Sequence, residues 1–148
     1  MYTNADLKQL IINLNNNCLD GFSSFLVLSD SVSKVQYLKP VKADAHIFPT
    51  DFYIIKNTRK KVVALIQDAY ADLFWYVLPG NRKKGYLTKA LKNTIINHLF
   101  LNREVIKITI NEGGIGKQMF HASQAVAVNC GFIKTWEGDK YYEYCLLK

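Results

Sequence analysis

The hydrophobic period of this chain changes once, and sharply, near its middle. Phe52–Lys56, Lys61–Ala69 and Asp72–Leu78 are short apolar runs rich in β-branched and aromatic residues, a composition that favours strands. Beyond them Leu87, Leu91, Ile95 and Leu99 recur every four residues, with Ala90 beside them. That spacing is the buried stripe of a helix, expected from about Lys84 to Leu101. Between the two regimes lies LPGNRKKGYLT, residues 78–88, in which Pro79-Gly80 stops the strand and the helix begins within a few residues.

The rest of the chain extends this pattern. Leu7, Leu10, Ile11, Leu14 and Cys18 predict a helix over residues 5–18, capped by Thr3 or Asn4 and ended by Asn15-Asn16-Asn17 and Gly21. Phe25–Leu28 and Val35–Leu38 read as two strands, and Pro40 and Pro49 punctuate the stretch up to residue 50. Asn57-Thr58-Arg59-Lys60 reads as a hairpin turn, and Tyr70-Ala71 couples the next two strands closely. Glu104–Ile110 is a further strand, and a Gly-rich loop over Glu112–Lys117 leads to a helix at about Ala122–Asn129. Gly131 occupies the position where a helix often ends in a left-handed residue. Phe132–Trp136 and Tyr141–Leu147 close the chain as strands about a Glu137-Gly138-Asp139 turn. After residue 50 the order is β-β-β-α-β-α-β-β, an α/β fold of the α+β type with helices on one sheet. Phe74 and Trp75, as strand neighbours, face opposite ways.

A length of 148 residues suits a single domain over 1–148. Hydrophobic residues at 49% exclude disorder over most of the chain. No apolar run reaches the roughly 18 residues a membrane span needs, and the start MYTNADLKQLIINLNNN lacks the pattern of a secretion signal. Cys18, Cys130 and Cys145 are odd in number and form no CxxC pair, against a disulfide framework or a zinc site. A reduced, cytoplasmic protein without a metal is expected. The formal net charge of +7 attracts anions. Arg59-Lys60-Lys61 and Arg82-Lys83-Lys84 are its only clusters, fewer than a nucleic-acid stripe would show.

The second cluster stands where anions bind. The first N–H groups of a helix have no internal partner, and the helix dipole adds partial positive charge. Gly85 leaves room for close approach, and Arg82, Lys83 and Lys84 add formal charge. Gly80 and Gly85 have the spacing of the nucleotide-hydrolase phosphate loop, but Tyr86-Leu87 replace its Lys and Ser/Thr. The dinucleotide fingerprint GxGxxG also fails, because Gly114-Ile115-Gly116 is followed by Met119.

YVLPGNRKKGYLTKAL resembles the cofactor motif of the GNAT superfamily of N-acetyltransferases, Gln/Arg-x-x-Gly-x-Gly/Ala between the fourth strand and the next helix. SQAVAVNCGF, residues 123–132, resembles that family's late helix and its Gly-Phe ending, and Asp139–Leu147 fits its last strand. The resemblance covers residues 51–148 and leaves 1–50, the acceptor side in the family, unassigned. It implies a mostly antiparallel central sheet flanked by helices and splayed between the family's fourth and fifth strands. It also implies acetyl-CoA as co-substrate, with the diphosphate on Arg82, Lys83, Lys84, Gly85, Tyr86, Leu87 and Thr88. The pantetheine arm would lie along Tyr76, Val77 and Leu78, with Asn111 and Ser123 on the pantetheine or adenosine side. Four features depart from the family. Leu87 fills the second small position of the motif, Ala127 stands where a Tyr often serves as general acid, a helix precedes the first strand, and the loop between Asn111 and Ser123 is longer than expected and Gly-rich.

Acetyl transfer to an amine needs a group to take the amine proton and another to protonate the departing thiolate. Asp72 is the first choice of base, at the start of a strand, and Asp68 the second, although its position suits a surface strand residue. Tyr144, then Tyr142, would supply the missing hydroxyl, and His121 would serve as base or proton donor. Nothing marks Cys145 as activated, and His46 and His98 are isolated. The expected function is transfer of an acetyl group from acetyl-CoA to a primary amine of a small molecule or protein. A CoA-binding module without turnover ranks second and a basic nucleic-acid-binding domain third. No membrane partner is expected. Exposed Tyr141 or Tyr142 would suit a homodimer edge.

Overall fold

The computed structural model describes residues 2–38, 49–69 and 72–148, with only the main chain at 114 and 115. Pro40, His46 and the Tyr70-Ala71 link lie outside the described residues.

Helix α1 (Asn4–Asn15) starts at a capping box. The Thr3 hydroxyl accepts from the Asp6 N–H at 3.1 Å, and the Asp6 carboxylate accepts from the Thr3 N–H at 2.8 Å. The helix stops short of the expected Cys18. Asn17 is left-handed with φ 57°, and the Cys18 N–H turns back to the Asn13 carbonyl at 2.9 Å. Cys18 is therefore exposed rather than part of the apolar stripe. Strands β1 (Phe22–Val27) and β2 (Val32–Tyr37) both begin three residues before the expected runs, 22 against 25 and 32 against 35. All of β1 after its first residue is exposed, so no alternation marks it.

Strands β3 (Thr50–Lys56), β4 (Val62–Ala69) and β5 (Asp72–Val77) form an antiparallel meander. A 3-10 turn at Pro79–Asn81 leads to α2 (Tyr86–Ala90), which continues through a wider π turn (Leu91–Ile95) into α3 (Ile96–Leu99). Strand β6 (Val105–Asn111) comes next. The expected Gly-rich loop is partly helical, forming α4 (Glu112–Ile115) directly before α5 (Lys117–Asn129). Strands β7 (Ile133–Glu137) and β8 (Tyr141–Leu147) end the chain.

The eight strands form one sheet in the order β1-β2-β3-β4-β5-β6-β8-β7. Among the described residues, only β5 and β6 are parallel neighbours, and every other pair is antiparallel. Each face has its own core. On one face α1 buries Leu7, Leu10, Ile11 and Leu14 against Val35, Phe52, Ile54, Leu65 and Tyr76. On the other, Leu87, Leu91, Ile95 and Leu99 join Phe120 and Ala127 of α5 over Tyr53, Ile66, Leu73, Ile108 and Tyr144. The four-residue repeat read from the sequence is thus the inner face of the α2–α3 helix.

Candidate functional site

Two features converge at the C-terminal end of β5. The first is a gap in the sheet. Among the described residues, β5 and β6 pair only at Asp72↔Lys107 and Leu73↔Ile108, although both strands continue past these residues. Hydrogen-bond alternation fixes what lines the gap. The Leu78 N–H bonds the Val63 carbonyl at 2.9 Å, so the main-chain groups of Leu78, Tyr76 and Phe74 point to β4. Those of Trp75 and Val77 point the other way, toward β6. On β6 the Lys148 N–H bonds the Glu104 carbonyl at 3.0 Å, which turns the even-numbered residues to β8. The Thr109 carbonyl and the main chain of Asn111 therefore face the gap, while the Thr109 N–H closes the last pair on the Leu73 carbonyl. A sheet interior normally pairs such groups, and here two strands leave a facing polar lining.

The second feature is the helix start. Gly85 takes φ +79° as the N-cap of α2, a conformation costly for a residue with a Cβ, and no side chain caps the helix. The first i to i−4 bond runs from the Lys89 N–H to the Gly85 carbonyl at 3.0 Å. The N–H groups of Tyr86, Leu87 and Thr88 therefore remain open at this end. Leu87 supplies its N–H here while its side chain sits in the core at 6% exposure. Lys83 and Lys84 are exposed and form no ion pair among the described residues. Lys83 is also left-handed, with φ 63°.

Several expected contact residues carry other bonds. Arg82 folds back: its Nε donates to the Val77 carbonyl at 3.0 Å, and its guanidinium lies 5.6 Å from the Tyr76 ring centroid. It braces the end of β5 rather than extending with Lys83 and Lys84. Asn111 caps α4, its Oδ1 accepting from the Gly113 N–H at 2.9 Å. The Ser123 hydroxyl accepts from Trp75 Nε1 at 3.1 Å, across the space between β5 and α5.

The three catalytic candidates do not form one cluster. Asp72 shares the α1 face with Tyr76, and its Oδ1 accepts from the Thr109 hydroxyl at 3.2 Å beside the Lys107–Glu143 ion pair. Tyr144 lies on the opposite face, 3% exposed, its hydroxyl accepting from Gln124 Nε2 at 3.2 Å. His121 is an exposed residue of α5 with its ring edge-on to Phe120. Glu137 hydrogen-bonds the Tyr142 hydroxyl and raises its pKa, which makes it a poorer proton donor. Burial pushes the Cys130 thiol up to about 11, so it stays protonated at neutral pH.

Two polar pairs escaped the sequence reading. Asp68 is no surface carboxylate. Its side chain is 5% exposed and held by Arg103 through two bonds of 3.0 and 2.7 Å. His98 is not isolated, because its Nδ1 lies 2.8 Å from the Tyr53 hydroxyl. Both partners lie at least 35 positions away in the chain, beyond any local spacing signal. Among the described residues, no group of His, Cys, Asp or Glu is gathered as metal ligands, and no helix is long and apolar enough to cross a membrane.

No family model matches the chain, and no curated protein does. Among solved structures, the ribosomal-protein-alanine N-acetyltransferase from Brucella melitensis superposes over 99% of this chain and 97% of its own, with a TM-score of 0.52 at 15% identity. The fold is GNAT-like. A second structure, of a candidate phosphinothricin N-acetyltransferase, covers 65% of this chain and 68% of its own at 16% identity, with a TM-score of 0.45. The GNAT-like fold is the mixed sheet with one parallel pair, opened between β5 and β6, that the resemblance implies for the family's fourth and fifth strands.

Proposed function

We propose that this chain binds acetyl-CoA and transfers the acetyl group to a primary amine of a small molecule or protein. The observation that carries the reading is the opening of β5 from β6 beside an uncapped helix start. The donor set fits the ligand. A diphosphate needs converging N–H donors and positive charge, which Tyr86, Leu87 and Thr88 and the side chains of Lys83 and Lys84 offer. The pantetheine arm is a chain of amides and matches the main-chain groups left along the gap: the N–H groups of Trp75 and Val77, the Thr109 carbonyl and the main chain of Asn111, the Val77 carbonyl being held by Arg82. Tyr76 and Leu78 flank the arm only through their neighbours, since their own main chains bond β4.

When bound, the thioester supplies an activated acyl carbon. The neutral amine attacks that carbon, the new C–N bond forms, and the C–S bond breaks to release the CoA thiolate. The amine must lose one proton, and the thiolate must gain one. Asp72 takes the proton on the α1 face, directly or through water. Tyr144, on the α5 face, returns one in this reading. His121 faces solvent and has no part in this scheme. A module that holds CoA without turnover is the second reading. Ala127 favours it, being fully buried on α5 and lacking a hydroxyl. The free Cys18, Cys130 and Cys145 suit a reducing, cytoplasmic setting.

Calorimetric titration with acetyl-CoA and desulfo-CoA tests the site, using Gly85→Glu and Gly85→Gln. Both substitutions force a side chain into the φ +79° position, so backbone strain is common to them. The expected result is wild-type binding in the micromolar range, weakened at least about tenfold more by Glu than by Gln. Wild-type protein that binds neither ligand would remove both CoA readings.

A further inference from the structure

We propose that Trp75 closes the inner end of the β5–β6 gap and restricts the bound thioester to an acetyl-sized acyl group. This rests on the acetyl-CoA reading above and sharpens its substrate class. The gap begins immediately beyond the Leu73↔Ile108 pair. The first residue of β5 past that point whose main chain faces the gap is Trp75, so the innermost ligand atoms meet this residue. Its side chain projects toward α5, and the indole N–H is tied to the Ser123 hydroxyl at 3.1 Å. The ring is thereby fixed between strand and helix instead of free to swing aside. Leu73 and Ile108, on the same face just inside it, are each 1% exposed. Tyr144 continues that row at 3% exposure, held by Gln124. A methyl group beyond the thioester carbonyl reaches this wall, and each further methylene would have to displace a tethered indole or a packed aliphatic side chain. Such interiors do not yield to added methylenes without strain.

The alternative is that Trp75 only fills the core. The two differ in the ratio of affinities for long and short acyl-CoA, which a purely structural tryptophan does not set. Acetyl-CoA, butanoyl-CoA, octanoyl-CoA and desulfo-CoA are titrated into wild-type protein, Trp75→Ala, Trp75→Leu and Ser123→Ala, with circular dichroism melts alongside. The expected wild-type preference for acetyl-CoA over octanoyl-CoA is at least about tenfold. It falls to parity or reverses in Trp75→Ala, falls partway in Trp75→Leu, and weakens in Ser123→Ala, where the indole is untethered. Should Trp75→Ala not fold, the Leu and Ser123 variants decide the point. Equal wild-type affinity for all chain lengths, or a preference that survives in every folded variant, overturns the proposal while leaving acetyl-CoA binding intact. Absence of binding by acetyl-CoA and desulfo-CoA alike overturns the parent reading and this one with it.

Discussion

Lys60 holds a left-handed conformation, φ 64°, in the turn between β3 and β4. Asn57 organises that turn, its Oδ1 accepting from the N–H groups of Arg59 and Lys61 at 3.0 and 3.1 Å. A residue with a Cβ pays about 1 kcal/mol for that geometry, which glycine adopts freely. Lys60→Gly is therefore expected to raise stability by roughly 0.5–1 kcal/mol, read as a higher urea midpoint at unchanged slope. His98 gives a pH signature. Burial lowers its pKa from 6.5, and Lys34 and Arg103 lower it further. Below about 6.5 the unfolded chain takes up the proton before the folded one does, so stability is complete above that pH and declines as pH falls toward the folded value. Urea midpoints at pH 7.5 and 5.5 should differ less in His98→Gln than in wild type; an unchanged difference would refute the assignment. Residue chemistry was legible where the signal is local, as in the Thr3 cap, the Asn57 turn and Gly85. Trp75–Ser123 was not, because 48 positions separate the partners and only the β5–α5 packing brings them together.

Elements differ in how well they are held. β3 and β4 lie inside the sheet with fully buried residues on both faces, including Phe52, Tyr53, Leu65 and Ile66. Among the described residues, β1 and β7 are the edges, each bonded on one side only, and all five residues of β7 are exposed. Amide hydrogen exchange should therefore be slowest in β3 and β4 and fastest in β1 and β7; slow exchange in β7 would show that another chain covers this edge. The helix after Gly85 illustrates what periodicity conveys and omits. Its stripe was plain, and the run from Tyr86 to Leu99 matches it. The π turn at Leu91–Ile95 was invisible, since one widened turn shifts the backbone without changing which residues are apolar. β1 and β2 were misplaced for a related reason: β1 is exposed after its first residue, and β2 buries Val32 and Val35 three positions apart, so neither shows the strict alternation of a half-buried strand.

For the whole molecule, the positive charge matters through its placement. A net +7 spread over the surface gives a weak general field, whereas Lys83 and Lys84 stand at the open helix end. If the acetyl-CoA reading holds, ligand at a hundred times its Kd stabilises the fold by about 2.7 kcal/mol, roughly 5–10 °C in Tm for a chain of this length. The shift should shrink in high salt, which screens the exposed lysines. A melt unmoved by saturating acetyl-CoA would contradict the site. The sequence alone determined the succession of strands and helices after residue 50, and the strand–loop–helix junction with its lysines and glycine at the helix start. These arise from short-range physics: side-chain periodicity, glycine geometry and the open N–H groups of a helix start. Only the tertiary structure decided where β5 leaves β6, which main chains face the gap, and that Asp72 and Tyr144 occupy opposite faces of the sheet. Pairing partners and sheet faces depend on register between distant segments, and register is settled by burying both faces of the whole sheet at once.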